Sequence, residues 1–264
     1  GCLMMRKKKY LNPIVSLQSE AYHKRCGKGV VAGVTGNGQI KLIPTTCKSW
    51  ACPRCSKVKK ARWSRIAAAG QPDKLLTLTL NPEYIRQFPS TEKVIEAMGK
   101  AWSMLMRNLR KVYGDIQYIR VYELHKSGVP HIHAMLRSRQ YLPQRAISAE
   151  WDKLRMGRIV DIRKIKGRTD KVASYIMKYV DKDFADMSLR FPNKRLINRS
   201  KNWMLKDPVK IADELPIKKW FFLKNASLYN VMNDILTAQG QITHRDVDAG
   251  VYVFDRVDAK KLRM

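Results

Sequence analysis

Residues 116–136 read Ile116-Gln117-Tyr118-Ile119-Arg120-Val121-Tyr122-Glu123-Leu124-His125, then Lys126-Ser127-Gly128-Val129-Pro130, then His131-Ile132-His133-Ala134-Met135-Leu136. Two runs rich in β-branched and aromatic residues flank a short Gly/Pro segment, which is the pattern of a β-hairpin. A turn centred on Gly128 pairs Glu123 with His133 and His125 with His131, and sends all four side chains to one face. A slip of the pairing would change these partners. His131 and His133 share a face in any register, because strand side chains alternate with a period of two.

Working outward, Leu75-Leu76-Thr77-Leu78-Thr79-Leu80 reads as a strand closed by Asn81-Pro82. A long helix follows from Thr91 to Val112, with Ile95, Met98, Trp102, Leu105 and Leu109 at helical spacing. Beyond the hairpin come a helix at 143–154, a strand at 158–165 and a helix at 170–182. Strand–helix–strand, twice, around a central hairpin implies an α+β fold: one antiparallel sheet with helices packed on one face. Upstream, runs 30–34 and 39–43 flank Thr35-Gly36-Asn37-Gly38 as a second hairpin, and Lys57 to Ala69 reads as a basic helix. Downstream, Ser227 to Ala238 reads as a helix and Val251 to Phe254 as a strand. The chain divides by composition into a basic, cysteine-rich module at 1–70, a central domain at 71–182 and an extension at 183–264.

The 264 residues carry 52 Lys and Arg against 22 Asp and Glu, a net charge of +30. Residues 1–70 hold fifteen of those basic side chains and one acidic one. Such an excess favours a polyanion, because each phosphate contact releases condensed counterions. An anionic membrane is the other polyanion, but no amphipathic anchor with a broad apolar face is evident. No apolar run approaches the roughly 18 residues of a spanning helix, and no secretory pattern opens the chain. A soluble, intracellular, cytoplasmic nucleic-acid partner protein is the expectation.

Two neutral imidazoles, His131 and His133, with the carboxylate of Glu123 make a divalent-metal face with open positions, suited to Mg²⁺ or Mn²⁺ polarising a phosphate oxygen. His-x-His by itself also arises by chance on a half-exposed strand; the facing Glu123 strengthens the metal reading. On the helix at 170–182, Tyr175-Ile176-Met177-Lys178-Tyr179-Val180-Asp181-Lys182 doubles the pattern Tyr-x-x-Lys. Tyr175 and Tyr179 are neighbours on one helix face, as are Lys178 and Lys182. Aromatics at this spacing often serve only as packing. A phenol is a weak nucleophile, and a nearby ammonium and a metal-bound phosphate would favour its ionised form. Two such phenols permit two successive strand transfers.

Cys26, Cys47, Cys52 and Cys55 fit a structural Zn²⁺ site around the knuckle Cys52-Pro53-Arg54-Cys55, with His23 as the competing fourth ligand. Cys2 stands apart. Basic residues from Lys48 to Arg65, with Trp50 and Trp63, would grip phosphates and stack bases.

The combination resembles the HUH endonucleases. Leu76-Thr77-Leu78-Thr79-Leu80 is similar to that family's apolar first strand motif, His131-Ile132-His133 to its metal motif with Glu123 as the upstream carboxylate, and 175–182 to the paired-tyrosine motif of phage replication initiators. The resemblance covers residues 74–182. It implies a palm of the RRM type with the metal on the open sheet face. It also implies a rolling-circle initiator from a virus or plasmid: Tyr175 or Tyr179 attacks single-stranded DNA at an origin hairpin, keeps a 5′-phosphotyrosine bond and leaves a 3′-OH to prime synthesis. Lys178 and Lys182 would lie beside the scissile phosphate, with Tyr175 as the first nucleophile. The segment from Lys194 to Trp203 also looks like one found downstream in such initiators. No ATPase motif is present, so a helicase would come from the host replication machinery. A two-tyrosine transposase would share the chemistry. A non-catalytic zinc-containing nucleic-acid binder is the alternative of a different class; it leaves Glu123, His131, His133 and the paired tyrosines without a role.

Overall fold

Two antiparallel runs close the central hairpin: β4 (Ile116–Leu124) and β5 (Pro130–Ser138). Gly128 sits in the turn at φ 83°, a left-handed value that a residue with a Cβ adopts only under strain. Its N–H donates to the carbonyl of His125, and the N–H of His125 donates to that of Val129. This closure sets the register two residues from the one expected: Glu123 lies opposite His131, and Val121 opposite His133. A shift of two preserves the side-chain alternation, so Glu123, His131 and His133 still share a face.

The protein is described here by a computed structural model covering residues 26–125, 127–165, 175, 177–180, 184–203, 215–238, 240–246 and 251–255. Cys2, His23 and Lys182 lie outside the described residues, as does most of the helix expected at 170–182. The fold is α+β, with two antiparallel five-stranded sheets and helices. The chain separates into two units, Lys59–Pro208 and the pair of segments up to Val58 and from Val209.

In the central unit, β3 (Lys74–Leu78), β4, β5, β6 (Val160–Lys164) and β7 (Ile197–Arg199) are ordered β6-β3-β5-β4-β7. Together with the α-helices at Thr91–Tyr113 and Gln144–Lys153, the first four strands follow the split β-α-β-β-α-β topology. Ser90 caps the first of these helices, its hydroxyl accepting from the N–H of Lys93. The buried stripe Val94, Ile95, Met98, Ala101, Trp102, Leu105, Met106 and Leu109 repeats every three to four residues. That stripe covers the face bearing Tyr118 and Tyr122: Trp102 meets Tyr118 edge-on at 5.0 Å, and the Tyr122 hydroxyl donates to the carbonyl of Ile95 at 3.4 Å. The second helix seats Trp151, whose indole N–H donates to the carbonyl of Thr79 at 3.1 Å. Tyr118 and Tyr122 point away from Glu123, so these helices leave the histidine face free for another element.

Numbering helices in chain order, α1 spans Pro53–Ala69, α2 Pro82–Ile85, α3 Thr91–Tyr113, α4 Gln144–Lys153, α5 Phe184–Arg190 and α6 Leu228–Thr237. The other unit contains β1 (Gly29–Thr35), β2 (Ile40–Pro44), β8 (Ile217–Lys224), β9 (Gln241–Asp246) and β10 (Val251–Asp255), ordered β8-β1-β2-β10-β9. Val30, Ala32, Ile40, Leu42, Tyr252 and Phe254 pack with Val231 and Ile235 of α6 to form its core. A division at residues 70 and 182 follows composition, whereas strand pairing divides the chain differently. The segment 183–264 contributes β7 to the sheet of β4, and β8, β9 and β10 to the sheet of β1 and β2. Composition carries no signal for such long-range pairing.

Candidate functional site

The face of the central sheet opposite α3 collects the polar side chains. Thr77 of β3 is the cross-strand neighbour of His133 on β5, and its hydroxyl lies 3.2 Å from His133 Nδ1. Glu123 of β4 reaches diagonally, placing Oε2 2.8 Å from His133 Nε2. The His133 imidazole is thus held at both nitrogens. With the proton on Nε2 facing the carboxylate, Nδ1 accepts from the threonine hydroxyl; with Nε2 free as a lone pair, Nδ1–H donates to the same oxygen. Thr77 can therefore partner either tautomer.

Burial pushes His133 below the ordinary imidazole pKa, against the pull of the Glu123 carboxylate, and the nearby charges of His131 and Lys178 act in the same direction as burial. Burial also lowers His131, with His125 adding to it. Neutral imidazoles are the form that binds metal.

The Glu123 oxygen and His133 nitrogen are spaced as adjacent ligands of an octahedral ion with bonds of about 2.1 Å, which lie about 3 Å apart. The donor set, one carboxylate and one imidazole, fits Mg²⁺ or Mn²⁺. His131 shares the face, but its ring is 6.4 Å from that of His133 and stacks on exposed His125 at 5.6 Å. It does not converge with the pair in this conformation. Among the described residues, only the four thiols form a group of three or more His, Cys, Asp or Glu with ligand atoms mutually within 4.8 Å.

The paired tyrosines lie over this face. Residues 175 and 177–180 are helical, with Met177 and Val180 buried and Lys178 exposed. Tyr179 stacks on His133 with ring centroids 3.6 Å apart and planes 10° from parallel. Its hydroxyl donates to the Tyr175 hydroxyl at 3.0 Å. Burial and that hydrogen bond push Tyr179 well above the usual phenol pKa. Glu123, His133, Tyr179 and Tyr175 are therefore one connected chain of contacts.

Arg163 belongs to the same face and was not singled out in the sequence. Its strand β6 pairs with β3, where Asp161 is the neighbour of Thr77, and Arg163 Nε binds Asp161 Oδ1 at 3.0 Å. The Asp161 contact raises the Arg163 pKa, and the arginine also feels the fields of Tyr175 and Tyr179. The signal was present as Asp161-x-Arg163, which alternates onto the face of Thr77 once β6 is placed beside β3.

In the other unit, Cys26, Cys47, Cys52 and Cys55 converge, all four as free thiols. Cys55 Sγ lies 3.5 Å from that of Cys26 and 3.6 Å from that of Cys47. Sulfurs on a tetrahedral Zn²⁺ with bonds of about 2.3 Å are about 3.8 Å apart, so the cluster fits that ion. Cys26 supplies the fourth sulfur. Cys52 precedes Pro53, the first residue of α1, a position that suits proline because its missing N–H needs no partner there. Burial opposes ionisation of Cys52, but the backbone N–H groups of Cys55 and Arg54, with the Cys47 thiol, bring its pKa down to about 7.

Residues 73–184 match the family model of the replication-associated proteins of the ORF2 type. The match begins just before β3 and ends at the start of α5. It includes every residue of the histidine–tyrosine face named above and excludes the thiol cluster. A replication-associated protein of this kind is consistent with a rolling-circle replication initiator. Neither a curated protein nor a solved structure matches the chain. No helix among the described residues is long and apolar enough to cross a membrane.

Proposed function

We propose that this chain initiates rolling-circle replication by nicking and rejoining single-stranded DNA through a 5′-phosphotyrosine intermediate. The observation that carries the reading is the chain of contacts from Glu123 through His133 and Tyr179 to Tyr175, inside the segment matching the replication-associated family. A divalent ion held by Glu123, His133 and, after rotation of its ring, His131 would supply electrophilic polarisation of the scissile phosphate.

The protein's own groups do the rest. A tyrosine oxygen forms a bond to phosphorus, the bond to the 3′ oxygen breaks, and that oxygen takes up a proton to become the priming hydroxyl. One phosphodiester is exchanged for another, so the linkage is preserved for rejoining by the second tyrosine. Tyr175 is assigned the first attack, because a donor hydrogen already points at its oxygen, where it offsets the charge of the reacting phenolate. Tyr179 would first have to surrender its own donor. Lys178, Lys182 and Arg163 supply positive charge beside the transferring phosphate. The zinc cluster is structural, and the setting is intracellular, on an origin hairpin, with strand separation supplied by a host helicase.

The test is cleavage of labelled single-stranded hairpins and random oligonucleotides with Mn²⁺ or Mg²⁺, resolved on denaturing gels. Metal-dependent nicking that disappears in Tyr175→Phe/Tyr179→Phe and in His133→Ala supports the reading. Tight DNA binding without any nick over a broad substrate set would replace it with a non-catalytic zinc-containing binding module.

A further inference from the structure

The strand β8 reads Ile217-Lys218-Lys219-Trp220-Phe221-Phe222-Leu223-Lys224 and forms an edge of its sheet. Its two faces differ. Phe221 and Leu223 pack on the core beneath α6. Trp220 and Phe222 point the opposite way and remain 50% and 62% exposed, large values for aromatic rings on a sheet.

Their neighbours on β1 explain how they lie. Trp220 is the cross-strand partner of Gly33, Phe222 of Val31, and Lys224 of Gly29. A Cβ added at Gly33 would meet ring carbons of Trp220 at 2.8 Å and 3.0 Å, and one added at Gly29 would meet the Phe222 ring at 3.1 Å. The rings therefore lean across glycine backbone, which leaves room for them to lie low, and turn their outer sides to solvent. Lys218, at a bulge of β8, extends over Gly36 in the same way.

The charge around this surface has one sign. Residues 26–58, which include β1 and β2, contain no Asp or Glu, and neither do residues 215–233 around β8. Lys218 and Lys224 bracket the two rings along the strand.

We infer that Trp220 and Phe222, bracketed by Lys218 and Lys224, form a stacking platform for single-stranded DNA, a second contact surface separate from the nicking residues. Successive unpaired bases stack on the two rings while the lysines meet the flanking phosphates. Duplex DNA cannot use the rings, because its bases are already stacked on each other. The inference rests on single-stranded DNA being the partner, as in the proposed function, but not on the nicking chemistry.

The test uses the full chain carrying Tyr175→Phe and Tyr179→Phe, without divalent metal, so that no cleavage occurs. Anisotropy of a fluorescein-labelled oligothymidylate reads affinity. Trp220→Leu with Phe222→Leu keeps the apolar area but not the aromatic faces, and is expected to weaken binding about tenfold or more. Trp220→Phe is expected to keep most of the affinity, while losing any DNA-dependent quenching that wild-type Trp220 contributes. Lys218→Ala and Lys224→Ala should each flatten the dependence of log affinity on log salt by about 0.7. Affinity unchanged in the folded leucine variant overturns the platform, even if nicking by the native chain proceeds. So does an equal loss for duplex of the same sequence, or a loss confined to binding of phosphatidylserine vesicles.

Discussion

The ring of Tyr179 lies flat on the imidazole of His133, 3.6 Å centroid to centroid, while Thr77 and Glu123 hold the two nitrogens of that imidazole. One side chain is thus fixed on an aromatic face and at both polar edges. The orientation of His133 is determined by the sheet and by the tyrosine helix together. A ligand geometry prepared in this way loses little entropy when used, which is the general advantage of a supported site.

Thr77 is expected to act through His133. Thr77→Val removes the hydroxyl while conserving shape, so Nδ1 loses its partner. Mn²⁺ affinity, measured by calorimetry, should fall about 10- to 100-fold, with the fold retained. Thr77→Ser should restore most of it. Unchanged affinity in Thr77→Val would show that the hydroxyl does not orient the ring for metal.

The two tyrosines are expected to separate kinetically. In single-turnover nicking, Tyr175→Phe should reduce the first cleavage at least about 100-fold, the scale of removing a nucleophile. Tyr179→Phe should leave the first nick measurable and block the second transfer, so nicked product accumulates without recircularisation. The reverse pattern would assign the first attack to Tyr179.

Zinc is expected to be inseparable from the fold of the unit that contains β1 and β2. Apparent zinc affinities of about 10–16 kcal/mol in small thiolate sites are as large as a domain's whole stability. Elemental analysis should find one zinc per chain bound at the thiols, and Cys52→Ser or strong chelation should abolish cooperative unfolding of that unit. A zinc-free chain with an unchanged thermal transition would contradict the structural role.

Acid stability should depend on Lys194. Its ammonium lies 3.1 Å from a Glu92 oxygen and also binds Glu96, both on α3. The hydrogen bond from Lys194, and then that from Lys93, holds the Glu96 carboxyl down at about 2, below its ordinary 4.5. A depressed carboxyl stabilises the fold fully above its unfolded pKa and loses that contribution as pH falls toward the folded value. Urea midpoints between about pH 5 and about pH 3 should therefore drop less in Lys194→Gln than in wild type. The effect is modest, because the pair is partly exposed and screened by solvent. Equal slopes would show that the contact does not persist in solution.

Much of the central unit is legible in the sequence, because its strands and helices carry one clear period each. The α3 stripe from Val94 to Leu109 and the alternation around His131-Ile132-His133 place core and polar faces without any long-range information. The hairpin register came out two residues away because the position of Gly128 alone does not define which carbonyls close the turn. The face survived the shift because two is the period of the strand. The strand β8 was missed for a physical reason: with Trp220 and Phe222 on one face and Phe221 and Leu223 on the other, its apolar residues do not alternate. The joining of β8, β9 and β10 to β1 and β2 spans most of the chain and leaves no local trace. The stacking of His131 on His125, rather than toward Glu123, is likewise a matter of side-chain packing that spacing does not specify.

The most direct test of the account is the chemical nature of the cleaved product. The protein is incubated with Mn²⁺ and an oligonucleotide it nicks, then measured as an intact mass and mapped by peptide fragmentation. The account expects a covalent adduct with the 5′ end of the downstream fragment on Tyr175, absent from Tyr175→Phe/Tyr179→Phe. Cleavage that yields two free DNA ends and unmodified protein would contradict it, because water rather than tyrosine would then be the nucleophile.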